Sequence, residues 1–378
     1  MANSVEELIP QYLRGLPVYV PGKPIEEVER ELKIVAVKLA SNENPLGPSP
    51  KAIEAIRKAL PESHRYPDGG THVLREKLAT LRGVRPEEIF IGLGSSEIID
   101  LASRVFLRAG LAGVTSEGSY APFSTAIRAS GAELRLAKQR DFAFDLRAIA
   151  AAVTPNTRVI YLANPNNPTG TAFGAAELAA FLREIRADIL VVLDEAYIHY
   201  AARTDMPKSA ELFREHRNLL TLRTFSKVYG LAGLRIGYAV GAPEIVAAMN
   251  KLRTPFNVSG AAQAGAIAAL DDHEHVKNSM ETNAQERARL TRGLKDLGFE
   301  PVASETNFIF TEAGPNTKEL CDSLLHAGVI VRPLAWMGFP EGLRVSVGTP
   351  AENDKFLGAL RKLFPEGRKL APAEKLVQ

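Results

Sequence analysis

The stretch IFIGLGSSEIIDLASRVFL, residues 89–107, decides the fold. Its first part, IFIGLG (89–94), is an apolar run that ends in a glycine turn. Its second part carries apolar residues at helical spacing behind Ser95, Ser96 and Glu97. That reads as a buried strand, a tight turn and a helix whose first turn holds hydroxyls and an acid, the groups that the unpaired N–H ends of a helix favour. The texture recurs along the chain. Short, apolar, β-branched-rich runs at Arg158–Ala163, Ile189–Leu193, Leu219–Arg223 and Leu234–Val240 read as further strands, with helical patterns such as Ala175–Arg186 between several of them. Their hydrophobicity is continuous, which marks strands buried on both faces. The expectation is an α/β fold with a mostly parallel sheet sandwiched by helices.

Outward from this block the organisation changes twice. Pro10, Pro17, Pro21 and Pro24 with Gly15 and Gly22 describe an extended N-terminal arm holding one short helix, over residues 1–32. Ser49-Pro50 before KAIEAIRKAL is a helix start. After Thr254-Pro255 comes a long helical stretch, Ala261–Gly298, then the strands of FEPVASETNFIFTEAG, VIVRPL and LRVSVG around a helix near Thr317–Ala327. This predicts a large domain over 33–255 and a smaller α+β domain over 256–378 that packs with the arm, its last dozen residues a loose tail. A length of 378 residues accommodates two or three such units.

Composition narrows the function. The balance of 46 Lys+Arg against 44 Asp+Glu gives no one-signed excess for an extended nucleic-acid surface. The one cysteine, Cys321, allows neither an internal disulfide nor a Cys/Cys zinc pair. The opening MANSVEELIPQYLRG has early acids and no apolar core of a signal peptide, and the longest uncharged stretches are rich in Ala, Gly, Asn and Gln. The expectation is a soluble cytoplasmic protein.

Four strand ends carry the unusual polar residues, where open α/β sheets place ligands. In ILVVLDEAY (189–197), Asp194 ends an apolar run, so its charge needs a cation, a metal or a protonated nitrogen as partner, unless it only caps a helix. A P-loop ATPase is excluded, because no G-x-x-x-x-G-K-[ST] occurs. In TLRTFSKVYGLAGLRIG (221–237), Lys227 follows Thr224 and Ser226, with Arg235 eight residues on. A lysine at such a junction loses its proton readily and can form a Schiff base; hydroxyls and an arginine beside it suit a phosphate monoester. A solvated lysine reads equally well from this segment alone. GLGSSE (92–97) fails as G-x-G-x-x-G because position 97 is Glu, yet works as a phosphate cup or as a plain helix start. NPNNPTG (164–170) fixes its Asn side chains between prolines, as a rigid turn also would.

Together these segments resemble the aspartate aminotransferase fold, the fold-type I pyridoxal-phosphate enzymes, with a seven-stranded-type sheet. The order Gly-Ser-Ser, aromatic, N-P-T-G, D-x-x-Y, S-K and a later Arg is matched over nearly the whole chain. The resemblance implies the cofactor pyridoxal 5'-phosphate on the Schiff-base lysine Lys227. Asp194 would pair its pyridinium nitrogen, Asn167 and Tyr197 would bond its phenolate oxygen, and Tyr120 would stack on its ring. Ser95, Ser96, Thr224, Ser226 and Arg235 would hold its phosphate. Tyr66 in HRYPDG resembles a tyrosine that reaches the phosphate of the neighbouring subunit, which implies a homodimer with shared sites. Within this superfamily Y-V-P-G-K-P (19–24), K-L-A-S-N-E-N-P-L-G-P-S-P (38–50), S-E-T-N-F (304–308), V-R-P-L (331–334) and L-R-V-S-V-G-T-P-x-E-N (343–353) are most similar to the histidinol-phosphate aminotransferases. That implies transfer of an amino group from histidinol phosphate to 2-oxoglutarate in histidine biosynthesis, by ping-pong kinetics, with Tyr19, Asn44, Arg332 and Arg344 contacting the substrate. An aromatic amino-acid aminotransferase and a threonine-phosphate-type decarboxylase are the alternatives. One segment departs from the family: LAWMGFPE (334–341), where Trp336 and Met337 stand in place of a small residue and Tyr or Gly.

The remaining polar residues carry no chemistry. His273 and His275 in DDHEHV read as solvated, no metal being expected; Cys321 reads as packing, Glu97 and Asp100 as first-turn helix charges, and ERARLTR (286–292) as a solvated helix face.

Overall fold

Residues 89–92 show how the core is made. Phe90 packs into one apolar cluster, while Ile89 and Ile91 pack into another, so successive side chains of this strand are buried on opposite faces of one sheet. The computed structural model describes residues 5–18 and 22–368. Its central sheet has seven strands in the order Ile89–Gly92, Gly237–Val240, Leu219–Thr224, Leu190–Asp194, Thr157–Ala163, Ala112–Ser116, Glu133–Ala137. Gly237–Val240 is antiparallel to both neighbours and the remaining pairs are parallel, which matches the mostly parallel sheet expected. Two strands escaped the sequence reading. Ala112–Ser116 (AGVTS) is small and polar though fully buried, and Glu133–Ala137 (ELRLA) is an edge strand with only Ala137 buried.

Helices cover both faces. Ser95–Phe106 buries Ile98, Ile99, Leu101 and Ala102 against one face, as its 3.6-residue spacing requires. On the other, Pro50–Ala59, held at its start by the Ser49 hydroxyl accepting from Ala52 N at 3.1 Å, packs against Gly260–Leu270.

A second, smaller sheet of Phe308–Glu312, Gly342–Ser346 and Arg332–Pro333 is antiparallel. Its core joins Leu290 and Leu294 of the helix His273–Asp296 to Leu320, Leu324, Phe356 and Leu360 of the helices Thr317–His326 and Pro350–Leu363. The single long helix expected over 261–298 is therefore two, broken at Asp271–Asp272, where the Asp272 carboxyl caps the second helix. Gly260–Leu270 packs with the large sheet and His273–Asp296 with the small one. We accordingly propose a boundary near 272 in place of the expected one at 256. In the arm, the helix Ile25–Leu32 buries Val28 beside Ile330, on the side of the small sheet. Among the described residues no helix is long and apolar enough to cross a membrane.

Candidate active site

The site forms where the chain leaves the C-terminal ends of neighbouring strands. Parallel register sets these ends level, with Ala163 opposite Asp194 and Asp194 opposite Leu222. They open into a cavity of about 500 Å³. At its floor, Asp194 is 4% exposed and, among the described residues, its carboxyl accepts one hydrogen bond, from Ala196 N at 2.9 Å. Burial with so little compensation pushes its pKa up to about 7.

Lys227 follows the strand Leu219–Thr224 and reaches the same cavity. Its Nζ donates to Asn42 O at 3.1 Å and Ser41 O at 3.4 Å, and lies 5.4 Å from the centroid of the Tyr197 ring. Burial first, and then the Arg344 charge, bring its pKa down to about 7. An amine so poised is a nucleophile and base at neutral pH. The Tyr197 hydroxyl accepts from Asn42 Nδ2 at 3.0 Å, and the ring stands edge-on to Phe308 at 5.2 Å.

Hydroxyls gather at one end. Ser95 and Ser96 open the helix Ser95–Phe106 behind Gly94, which has φ +80° and gives no side-chain cap. Thr224 and Ser226 come from the turn before Lys227, with Thr224 Oγ1 accepting from Ser226 N at 3.0 Å. Arg235, itself at φ +50°, lies so close to the Gly94 turn that a Cβ added there would sit 2.9 Å from its Nη2. The Tyr120 hydroxyl is 3.1 Å from Ser96 Oγ, and burial pushes its pKa up to about 12, so it stays neutral.

Two arginines complete the site from the small sheet. Arg332 and Arg344 stand directly opposite each other in the antiparallel pair, and both are buried. Arg344 donates to Asn167 Oδ1 at 2.6 Å and Ala40 O at 2.8 Å, and Arg332 lies 5.0 Å from the centroid of the Trp336 ring. The cavity thus presents a neutralisable amine, a buried acid with a single weak partner, a cup of hydroxyls with an arginine, and a pair of guanidinium groups. This donor set fits pyridoxal phosphate: the cup for its phosphate, the acid for its ring nitrogen, the amine for its aldehyde.

Comparison with known proteins agrees with that geometry. Residues 34–360 match the family model for aminotransferase class I and II. The chain belongs to this family of aminotransferases. A histidinol-phosphate aminotransferase 2 of Pseudomonas aeruginosa is 48% identical over 355 residues, 93% of this chain and 96% of the relative. The crystal structure of histidinol-phosphate aminotransferase from Sinorhizobium meliloti, in complex with pyridoxal-5'-phosphate, superposes with a TM-score of 0.87 at 32% identity, covering 94% of this chain and 97% of that one. Aspartate aminotransferase from Thermus thermophilus with maleate has a TM-score of 0.79 at 23% identity, covering 94% of this chain and 99% of that one, and shares the fold.

Of the residues the sequence pointed to, the aminotransferase brings Ser95, Ser96, Tyr120, Asn167, Asp194, Tyr197, Thr224, Ser226, Lys227, Arg235, Arg332 and Arg344 onto one cavity. Two others, Tyr66 and Asn44, do not line it. Tyr19 lies outside the described residues. Tyr66 stands 83% exposed, stacked on Phe256 with ring centroids 4.7 Å apart. The Asn44 amide donates to Val228 O and Ser279 Oγ, both at 2.9 Å, and its oxygen accepts from Leu46 N, so these bonds tie the side chain into the fold.

The neighbouring Asn42, which the sequence reading passed over, lines the cavity. Its backbone sits at φ +55° and turns the amide towards Tyr197, while Ser346 Oγ and Asn307 Nδ2 hold it from the small sheet. Both asparagines stand in the same S-N-E-N motif, and only the turn distinguishes them. The segment 286–292 also departs from the solvated face expected of it. Glu286 is buried, accepts from Asn353 Nδ2 at 2.7 Å and pairs with Arg289, and Leu290 is fully buried. Cys321 packs in the small core, where burial pushes its thiol up to about 12. Among the described residues no group of three or more metal-ligating side chains occurs.

Proposed function

We propose that this chain is a pyridoxal-phosphate-dependent histidinol-phosphate aminotransferase that passes the amino group to 2-oxoglutarate by ping-pong kinetics. The observation that carries the reading is the convergence of Lys227, Asp194, the hydroxyl cup and the Arg332–Arg344 pair on one cavity. The near-full-length likeness to proteins named for that activity supports it. When bound, pyridoxal phosphate supplies an aldehyde that carries the amino group and a ring that takes up the electron pair left on the donor's carbon.

The chain's residues do the rest. Ser95, Ser96, Thr224, Ser226 and Arg235 bind the cofactor's phosphate. Asp194, reluctant to carry a charge alone in its dry setting, is stabilised as a carboxylate by a protonated ring nitrogen and holds the proton there. Asn167 and Tyr197 orient the ring through its oxygen, and Tyr120 covers its face. Lys227 Nζ, with its pKa near neutrality, takes the proton from the amine-bearing carbon and returns it as general acid. Arg332 and Arg344 receive the anionic end of the donor, and in the second half-reaction a carboxylate of the acceptor. Two copies would form a dimer in which the exposed Tyr66 of each reaches the phosphate held by the other.

The test follows the cofactor's absorption band during single half-reactions with histidinol phosphate and with phenylalanine. Histidinol phosphate is expected to convert the band faster. A preference for phenylalanine would replace the substrate, and carbon dioxide release without 2-oxoglutarate would replace the reaction.

A further inference from the structure

The segment LAWMGFPE (334–341) joins the two strands that carry Arg332 and Arg344, and its chemistry is not used by the scheme above. Its ends are pinned: Leu334 N donates to Gly342 O at 2.9 Å, and Gly342 N to Phe339 O at 3.0 Å. Between them Ala335–Met337 forms one 3-10 turn, closed by Gly338 at φ +91°. Phe339 anchors the loop, its ring 5.1 Å from that of Phe310 and 6.2 Å from that of Phe142. Held in this way, the turn presents Trp336 at 49% exposure. Trp336 lines both the catalytic cavity and an adjoining one of about 1350 Å³, and so stands on the boundary between them together with Arg332 and Met337.

We propose that Trp336 is a positioning residue that fixes the Arg332 guanidinium for the phosphomonoester end of the amino donor and thereby sets donor preference. This rests on the substrate reading given above. The ring centroid lies 5.0 Å from the guanidinium carbon, within the range in which an indole attracts a cation. The guanidinium is planar, its N–H groups lie in that plane, and their fork matches a phosphate edge-on. An indole that holds the cation in place lowers the ordering cost of each hydrogen bond to the donor. A donor with no anionic group at that end, such as unphosphorylated histidinol, gains nothing from this arrangement, so the effect is selective. Arg344, across the strand pair and engaged by Asn167 and Ala40, is held by other means.

The test measures KM and kcat of the holoenzyme with histidinol phosphate for wild type, Trp336→Ala and Trp336→Phe. Trp336→Ala is expected to raise KM about three- to tenfold, more than it lowers kcat, and Trp336→Phe to restore most of the loss. Because Trp336 is the one tryptophan of the chain, intrinsic emission reports on this turn alone. Histidinol phosphate is expected to change that emission and unphosphorylated histidinol not to. A wild type that turns over histidinol phosphate while Trp336→Ala keeps its KM overturns the inference and leaves the substrate reading intact. A wild type that does not turn it over overturns the substrate reading. The inference is then decided by titrating inorganic phosphate into the holoenzyme: a saturable emission change, lost in Arg332→Gln, upholds it, and a flat titration overturns it.

Discussion

Asp194 and Lys227 share an unusual property: both are brought close to a pKa of 7, from opposite sides and by the same cause, burial. The consequence for stability has a definite sign. In the cofactor-free protein the unfolded chain releases the Asp194 proton at a lower pH than the fold does, so this residue makes stability fall as pH rises from 3.8 to about 7. The unfolded chain keeps the Lys227 proton longer than the fold, so this residue makes stability rise from about 7 to 10.5. Asp194→Asn is expected to abolish the first limb, read as melting temperature against pH in the cofactor-free proteins; parallel curves for wild type and variant would contradict it. With cofactor, the same variant is expected to lose about a hundredfold or more in kcat, the scale of one broken buried charge pair. At this scale the sequence was informative through the joint order of its acid, lysine and clustered hydroxyls at the ends of apolar runs, since each alone also had a structural reading. It did not single out Asn42 from Asn44, two identical side chains two positions apart. Only the left-handed turn at Asn42 decides which one faces Tyr197, and nothing in the residue types encodes that choice.

The elements were legible where one force dominated. Ile89–Gly92, Thr157–Ala163, Leu190–Asp194 and Leu219–Thr224 are buried on both faces and each carries an apolar run, so burial and pattern agree. Ala112–Ser116 is just as buried, but its Gly113 makes way for the Ile127 side chain, which would meet a Cβ there at 2.7 Å. Smallness there reflects close packing against a helix, and a hydrophobicity pattern does not register it. Between 261 and 298 two helices with good propensity follow one another without a proline. The break at Asp271–Asp272 comes from tertiary packing, one helix on the large sheet and the next on the small one. The charged run at 286–292 misled for a related reason: Glu286 is paid for by Asn353 and Arg289, partners 67 and 3 residues away, and only the first is invisible to helical spacing.

At the scale of the whole molecule, Asp194 and Lys227 come from strand ends of the large sheet, and Arg332 and Arg344 from the small sheet. Asn42 ties the two by bonding Tyr197 on one side and Ser346 on the other. Tyr66 is exposed and stacked on Phe256, and the proposed dimer would carry it to a second chain's site. If sites are shared, a mixed dimer of Tyr66→Phe and Lys227→Ala chains contains one doubly impaired site and one intact site. Two weakly active preparations, unfolded and refolded together, are then expected to regain about a quarter of wild-type activity, from random pairing of subunits. Activity that stays at the mean of the two parents would place Tyr66 on its own subunit's site or on none.

The central claim is that the cofactor is tethered at position 227, opposite the acid at 194. The most direct measurement reduces the holoenzyme with borohydride, digests it and determines by mass spectrometry which lysine carries the phosphopyridoxyl group. The account predicts the label on Lys227 and its complete loss in Lys227→Ala. A label on any other lysine, or an unlabelled Lys227 in active enzyme, would contradict it.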